Sequence, residues 1–153
     1  MAGLREKLIS AGTVGLDTSI FIYHLEANPT YAPLTKTAFE NMEKGKFKGV
    51  TSAITLMELT VLPWRIGHEN VAREYEAVLV NFPNLTIADV DRNVARLAAK
   101  LRADFNVSPA DALEVAACLG AGAKAFLSND KRLSGLQTVI EILILDDFVA
   151  LNK

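Results

Sequence analysis

Strand-like and helix-like signals alternate along this chain, and that alternation predicts an α/β domain. Its centre is expected to be a short parallel β-sheet of about five strands, flanked by helices on both faces. Three observations carry the expectation. Short runs such as Gly49-Val50-Thr51 and Val139 to Ile144 are rich in β-branched residues, whereas the segments between them have helical periodicity. The helical segments are bounded by Ser, Asp, Pro and Gly where capping and chain reversal want them. No linker, repeat or low-complexity stretch divides the 153 residues, so residues 1–153 are read as one domain with a sizeable core.

In order, Val14-Gly15-Leu16 predicts a first strand and Ser19 to Leu25 a helix. Pro29 and Pro33 bracket a turn, and an amphipathic helix is expected from Leu34 to Lys44, ending at Gly45. Gly49 to Thr51 is the second strand. Ile54 to Leu62 is helical and is expected to stop at Pro63. A helix from about Glu69 to Phe82 closes at Pro83-Asn84, and Leu85 to Ile87 is the third strand. Asp91 caps a helix on which Val94, Leu97, Ala98 and Leu101 recur at helical spacing. Ser108-Pro109 opens the next helix, with Pro in the favoured first position, and Gly120 and Gly122 end it. Ala125 to Leu127 is the fourth strand and Val139 to Ile144 the fifth. Strands joined by helices imply parallel pairing through right-handed crossovers. Residues 1–12 precede this pattern as an N-terminal extension, read either as an extra helix or as a start-site artefact.

Half of the residues are apolar, 22% are charged, and the formal charge is −2. That balance is globular, and it removes whole-molecule attraction to nucleic acid, so a polyanion would need a local basic patch. Cys118 is the one cysteine: it rules out an internal disulfide, makes a thiolate zinc site improbable, and reads as core. Only His24 and His68 are available for histidine chemistry. No stretch approaches the roughly 20 apolar residues of a membrane span, and no signal peptide is convincing, which points to a cytoplasmic protein.

Four acids stand out. Asp17, Glu58, Asp111 and Asp130 each interrupt an apolar stretch near the beginning or end of an element. Sites in open α/β sheets form beyond the carboxyl ends of strands, where the strand order switches. Asp17 and Asp130 each follow a strand, and Asp111 lies at a helix start. Glu58 shares a helical face with Ile54, Thr55, Val61 and Leu62, and a carboxylate among apolar neighbours must be neutral, paired or metal-bound. Two carboxylates about 4 Å apart repel by about 1 kcal/mol in water and about 4 kcal/mol at an effective dielectric of 20. A divalent ion reverses that sign, and oxygen-only ligands suit Mg²⁺ or Mn²⁺ better than zinc. A second reading stands beside this one. Ser108-x-x-Asp111 has the form of a capping box, and Asp17 and Asp130 both precede helices they could cap. A cap leaves Glu58 without a role.

In these segments the chain resembles the PIN-domain ribonucleases, of the kind found in VapC-type toxins of prokaryotic toxin–antitoxin pairs. The matching stretches are Val14-Gly15-Leu16-Asp17-Thr18-Ser19, Ser52 to Leu59, Leu101-Arg102 through Leu113, and Ala123 to Asp130 with Arg132-Leu133 and the late apolar strand. Each is weak alone; their order and span, from about residue 14 to 148, are specific. The resemblance implies a single PIN-like domain and a Mg²⁺- or Mn²⁺-dependent endoribonuclease. It implies that Asp17 and Asp111 are the principal metal ligands, with Asp130 and Glu58 completing the site directly or through water. Ser128 or Asn129 would position the acids or the attacking water, and Thr18 and Ser19 would bond the same shell. A homodimer and inhibition by a small antitoxin protein are also implied. Residues 1–12 and the segment around Pro63-Trp64-Arg65 fall outside the family pattern.

For RNA contact, Arg92, Arg96 and Lys100 recur at four-residue spacing with Arg102 nearby, and Lys44, Lys46 and Lys48 form a second cluster. Each cluster taken singly is more readily a solvated face than a phosphate site. Trp64 reads as core or dimer packing ahead of a base-stacking platform. A dehalogenase-like phosphatase would need an Asp where Ser19 stands, and no glycine-rich dinucleotide fingerprint follows the first strand. The remaining alternative to a nuclease is a catalytically silent PIN-like module that binds RNA or a partner chain.

Overall fold

The computed structural model describes residues 3–150. Five strands, β1 (Thr13–Leu16), β2 (Lys48–Ser52), β3 (Leu85–Ala88), β4 (Ala125–Ser128) and β5 (Glu141–Ile144), form one sheet in the order β3-β2-β1-β4-β5. Every pairing is parallel, as the alternating pattern predicts. The chain lays β2 and β3 outward on one side of β1, then returns to place β4 and β5 on the other. The strand order therefore reverses at β1, and a crevice opens beyond the carboxyl ends of β1 and β4.

The strands alternate between two cores, as period-2 geometry requires. Val14, Leu16, Ala125, Leu127 and Leu143 enter one core, shared with the helices α1 (Leu4–Ala11), α2 (Thr18–Leu25) and α3 (Ala32–Glu43). Val50, Phe126, Ile142 and Ile144 enter the other, shared with α6 (Arg92–Phe105) and α7 (Pro109–Gly120). The helices α4 (Ala53–Arg65) and α5 (Glu69–Asn81) fill the β2–β3 crossover, and α8 (Asp146–Val149) follows β5. Cys118 is fully buried, 3.6 Å from the Val50 carbonyl, in keeping with the core reading.

Several boundaries differ from the expected ones. The lead-in is a helix: Leu4 and Leu8, four residues apart, bury the same face, and Gly12 ends it at φ +79°. Pro63 does not stop α4, which runs to Arg65. Pro63 cannot donate to the Leu59 carbonyl, yet the following N–H groups of Ile66 and His68 still close on the Leu62 and Pro63 carbonyls and carry the helix to its end. The fifth strand starts at Glu141 because the N–H groups of Val139 and Ile140 both turn back to the Leu136 carbonyl. The 3₁₀ segment Lys131–Thr138 that precedes it was not anticipated. Among the described residues no helix is long and apolar enough to cross a membrane. Residues 1–2 and 151–153 of the expected domain lie outside the described residues.

Candidate active site

The four acids arrive by four routes at one cleft of about 620 Å³, lined by Asp17, Glu58, Asp111 and Asp130 and also by Thr18, Ser19 and Asn129. Asp17 extends the β1–β4 pairing one step, its N–H bonded to the Leu127 carbonyl at 3.0 Å. It also caps α2, since Oδ1 accepts the Thr18 N–H at 2.8 Å. Its other oxygen accepts from the Ser128 hydroxyl at 2.6 Å and from Ser19 Oγ at 3.2 Å. Capping and site geometry thus coexist in one side chain that is only 8% exposed.

Asp130 begins the 3₁₀ segment, and its N–H is held by Ser128 Oγ at 3.1 Å. Its carboxylate accepts the Arg132 N–H at 3.0 Å and both oxygens are gripped by the Arg132 guanidinium at 2.7–3.2 Å. That bidentate pairing holds the Asp130 carboxyl below its ordinary pKa. Asp111 is in the first turn of α7, where the Ser108 hydroxyl accepts its N–H at 3.3 Å, giving half of the expected capping box. Burial raises its pKa; Ser108 and Arg132 oppose the shift, and the charges of Asp17 and Asp130 add to it.

Glu58 stands on α4 with Oε1 accepting the Thr18 hydroxyl at 2.6 Å. Its surroundings on α4 are not the apolar interior that the sequence suggests. Of its helical neighbours Thr55 is buried and Ile54 half-buried, whereas Val61 and Leu62 are exposed, with Met57, Trp64 and Ile66, so the far half of this face is surface and Glu58 forms the cleft wall. Trp64, 53% exposed, is not core. Asn129 is also placed differently from expectation: its amide reaches the Tyr23 hydroxyl at 3.3 Å and its oxygen the Asp146 N–H at 2.8 Å, and it bonds none of the four acids. It braces the loop and not the carboxylates.

A fifth acid went unrecognised in the sequence. Glu114, one turn beyond Asp111, is 3% exposed and lines the same cleft. Its Oε1 lies 2.7 Å from Thr18 Oγ1 and 3.3 Å from Thr55 Oγ1. Burial, then the neighbouring carboxyls of Glu58 and Asp17, push its pKa up to about 11, against the lowering effect of Thr18. The available signal was a lone carboxylate in the otherwise apolar run Ala112 to Leu119, three residues from Asp111 and hence on its face.

The α6 stripe stays outside the cleft lining. Lys100 pairs with Asp104 at 3.1 Å, Arg96 bonds Asn93 at 2.9 Å, Arg102 bonds the Val107 carbonyl at 3.1 Å, and Arg92 is exposed. The cation at the rim is Lys131, with Arg132 beside it. The donor set facing the cleft is carboxyl and hydroxyl oxygen, which suits a hard cation. As the side chains stand, no three His, Cys, Asp or Glu groups among the described residues are close enough together to hold an ion. Closing the site would require side-chain rotation.

Fold and cleft together define a class: a parallel α/β domain whose acids line the crevice where the strand order reverses. Residues 14–138 match the family model of the PIN domain, and the chain belongs to that family. Its fold is similar to that in the structure of VapBC2 from Rickettsia felis bound to a DNA fragment from its promoter. That match has a TM-score of 0.68 at 15% identity over 86% of this chain and 98% of the other. A toxin–antitoxin complex from Klebsiella pneumoniae matches with a TM-score of 0.62 at 16% identity, over 86% and 97% of the two chains. DNA-bound VapBC from Salmonella typhimurium matches with a TM-score of 0.62 at 21% identity, over 87% and 98%. Among curated proteins none matches this chain in sequence.

Proposed function

We propose that this chain is a divalent-metal-dependent endoribonuclease of VapC type, the toxin of a toxin–antitoxin pair. It would hydrolyse RNA phosphodiester bonds with Mg²⁺ or Mn²⁺. One observation carries the proposal: acids from four separate elements line a single cleft at the strand-order switch. When bound, the ion supplies an activated water and neutralises charge on the scissile phosphate. Asp17 and Asp111 are the residues to hold it, with Glu58 and Asp130 completing or tuning the site. Ser128 and Ser19 aim the Asp17 carboxyl, and Thr18 aims Glu58. Arg132 already occupies both Asp130 oxygens, so Asp130 acts first as the anchor of that guanidinium. Lys131 and Arg132 are placed to meet the RNA backbone at the rim; α6 would touch only RNA that extends beyond the cleft.

An antitoxin surface adjoins the site. A groove of about 240 Å³ between α2, α4 and α5 is lined by Ile22, Leu25, Leu59, Leu62, Ile66 and Tyr75, and it shares Ile22 and Glu58 with the acid cleft. With Met57 and Trp64 exposed beside it, this face suits an amphipathic partner helix whose end would lie over Glu58. The same exposed α4 face is available for self-association as a homodimer.

The test compares wild type with Asp17→Asn and Asp111→Asn on a mixed RNA pool with Mg²⁺, Mn²⁺ or EDTA. Cleavage that needs metal and disappears in both variants supports the proposal. Cleavage retained in EDTA, or in both variants, refutes it; RNA binding without cleavage under every metal points to the silent module.

A further inference from the structure

The Thr18 hydroxyl stands between two carboxyls from different helices. Its Oγ1 lies 2.6 Å from Oε1 of Glu58 on α4 and 2.7 Å from Oε1 of Glu114 on α7. Thr55 Oγ1 completes the cluster, 3.1 Å from Thr18 Oγ1 and 2.8 Å from Thr51 Oγ1. Thr51 donates to the Leu16 carbonyl at 2.9 Å, which anchors the hydroxyls to β1. A hydroxyl has one proton to give. When Thr18 gives it to Glu58, its oxygen is left to accept from Glu114, so one contact directs the other. Glu114 is buried at a position fixed by packing, whereas Glu58 sits on the open wall of the cleft. Among the described residues Thr18 is the only hydroxyl donating to Glu58.

We propose that Glu114 is a positioning residue: acting through the Thr18 hydroxyl, it aims the Glu58 carboxyl and ties α7 to α4 across the cleft. Asp111 lies one turn before Glu114 on α7, so the tie also sets the separation of Asp111 from Glu58. The consequence for metal binding rests on the nuclease proposal above; the hydrogen-bond chain does not.

Three single variants and one double variant test this: Glu114→Leu, Glu114→Gln, Thr18→Val, and Glu114→Leu with Thr18→Val. Mn²⁺ binding to metal-stripped protein is measured by calorimetry, RNA cleavage is measured alongside, and thermal unfolding is followed in EDTA. Glu114→Leu and Thr18→Val should each weaken Mn²⁺ binding by about 10- to 100-fold, the range for groups that orient ligands. The double variant should be no worse than the weaker single one. Glu114→Gln should recover most of the loss, because its amide can donate to Thr18 and leave the hydroxyl proton for Glu58. A Gln variant as weak as the Leu variant overturns positioning in favour of direct ligation, and losses that multiply in the double variant show that the residues act separately. If wild type neither binds Mn²⁺ nor cuts RNA, the nuclease proposal falls and melting alone judges the chain. Changes in Tm that fail to add in the double variant then uphold it, and changes that add in full overturn it.

Discussion

Glu114→Gln has a consequence for stability that can be worked out in advance. The buried carboxyl has its pKa raised from 4.5 to about 11, so folded protein keeps a proton that the unfolded chain releases above about pH 4.5. The folded state binds more protons throughout that window, and stability therefore falls as pH rises through it. The slope is about 1.4 kcal/mol per pH unit, hence about 3 kcal/mol between pH 5.5 and 7.5. For a chain of this size that corresponds to roughly 6–12 °C in Tm. Glutamine fills the same volume, donates and accepts as the neutral acid does, and does not titrate. In EDTA, the Tm of wild type should drop by that amount relative to Glu114→Gln over those two pH units. The assay is thermal unfolding by circular dichroism at pH 5.5, 6.5 and 7.5. Curves that stay parallel, with the same Tm difference at every pH, would show that Glu114 is not held neutral and would refute the account of the cluster.

Three further outcomes are expected. Ser128→Ala removes the 2.6 Å hydrogen bond on Asp17 and should weaken Mn²⁺ binding or RNA cleavage by about 10- to 100-fold; a change below twofold contradicts the aiming role. Arg132→Gln releases Asp130, whose carboxyl pKa should climb back towards its ordinary value. Because a depressed carboxyl contributes stability that is lost as pH falls through its folded value, the variant should also gain less stability on going from acid to neutral pH. Carboxyl NMR titration checks the shift, and an unmoved Asp130 rules out the pairing. Gly15→Ala puts a Cβ on β1 that would sit 2.7 Å from the Phe126 ring and 2.9 Å from Cys118 Sγ, both buried. Overpacking of that kind costs about 1–3 kcal/mol, so Tm should fall by roughly 2–12 °C; an unchanged Tm would mean α7 does not press on β1.

Much of the fold was legible because its signals are local. Strand runs, helix periodicity and caps such as Asp91, whose side chain does accept the Val94 N–H, depend on near neighbours in the chain. The errors arose where local signals compete. Pro63 reads as a stop, yet the loss of one N–H there is outweighed by the later N–H groups that close on Leu62 and Pro63. Val139 and Ile140 have strand propensity, but their N–H groups are taken by Leu136. Apolar content is ambiguous as well: Trp64 reads as core or dimer packing, and which it is depends on what packs against α4.

For the site, chain chemistry alone determines that Asp17 and Asp130 follow strands and that Asp111 opens a helix, since strand ends and caps are short-range features. It also favours a hard ion over a soft one, because oxygen is what the candidate residues offer. Convergence of the acids belongs to the packing. It depends on β4 returning to lie against β1, and on α4 and α7 bringing Glu58 and Glu114 to one hydroxyl, contacts across 40 and 96 residues of chain. The same packing kept the α6 cations off the cleft and buried Glu114, whereas the pairing of Asp130 with Arg132, two residues on, is local. A residue's burial and its partners are fixed by elements distant in sequence, and periodicity carries no record of them.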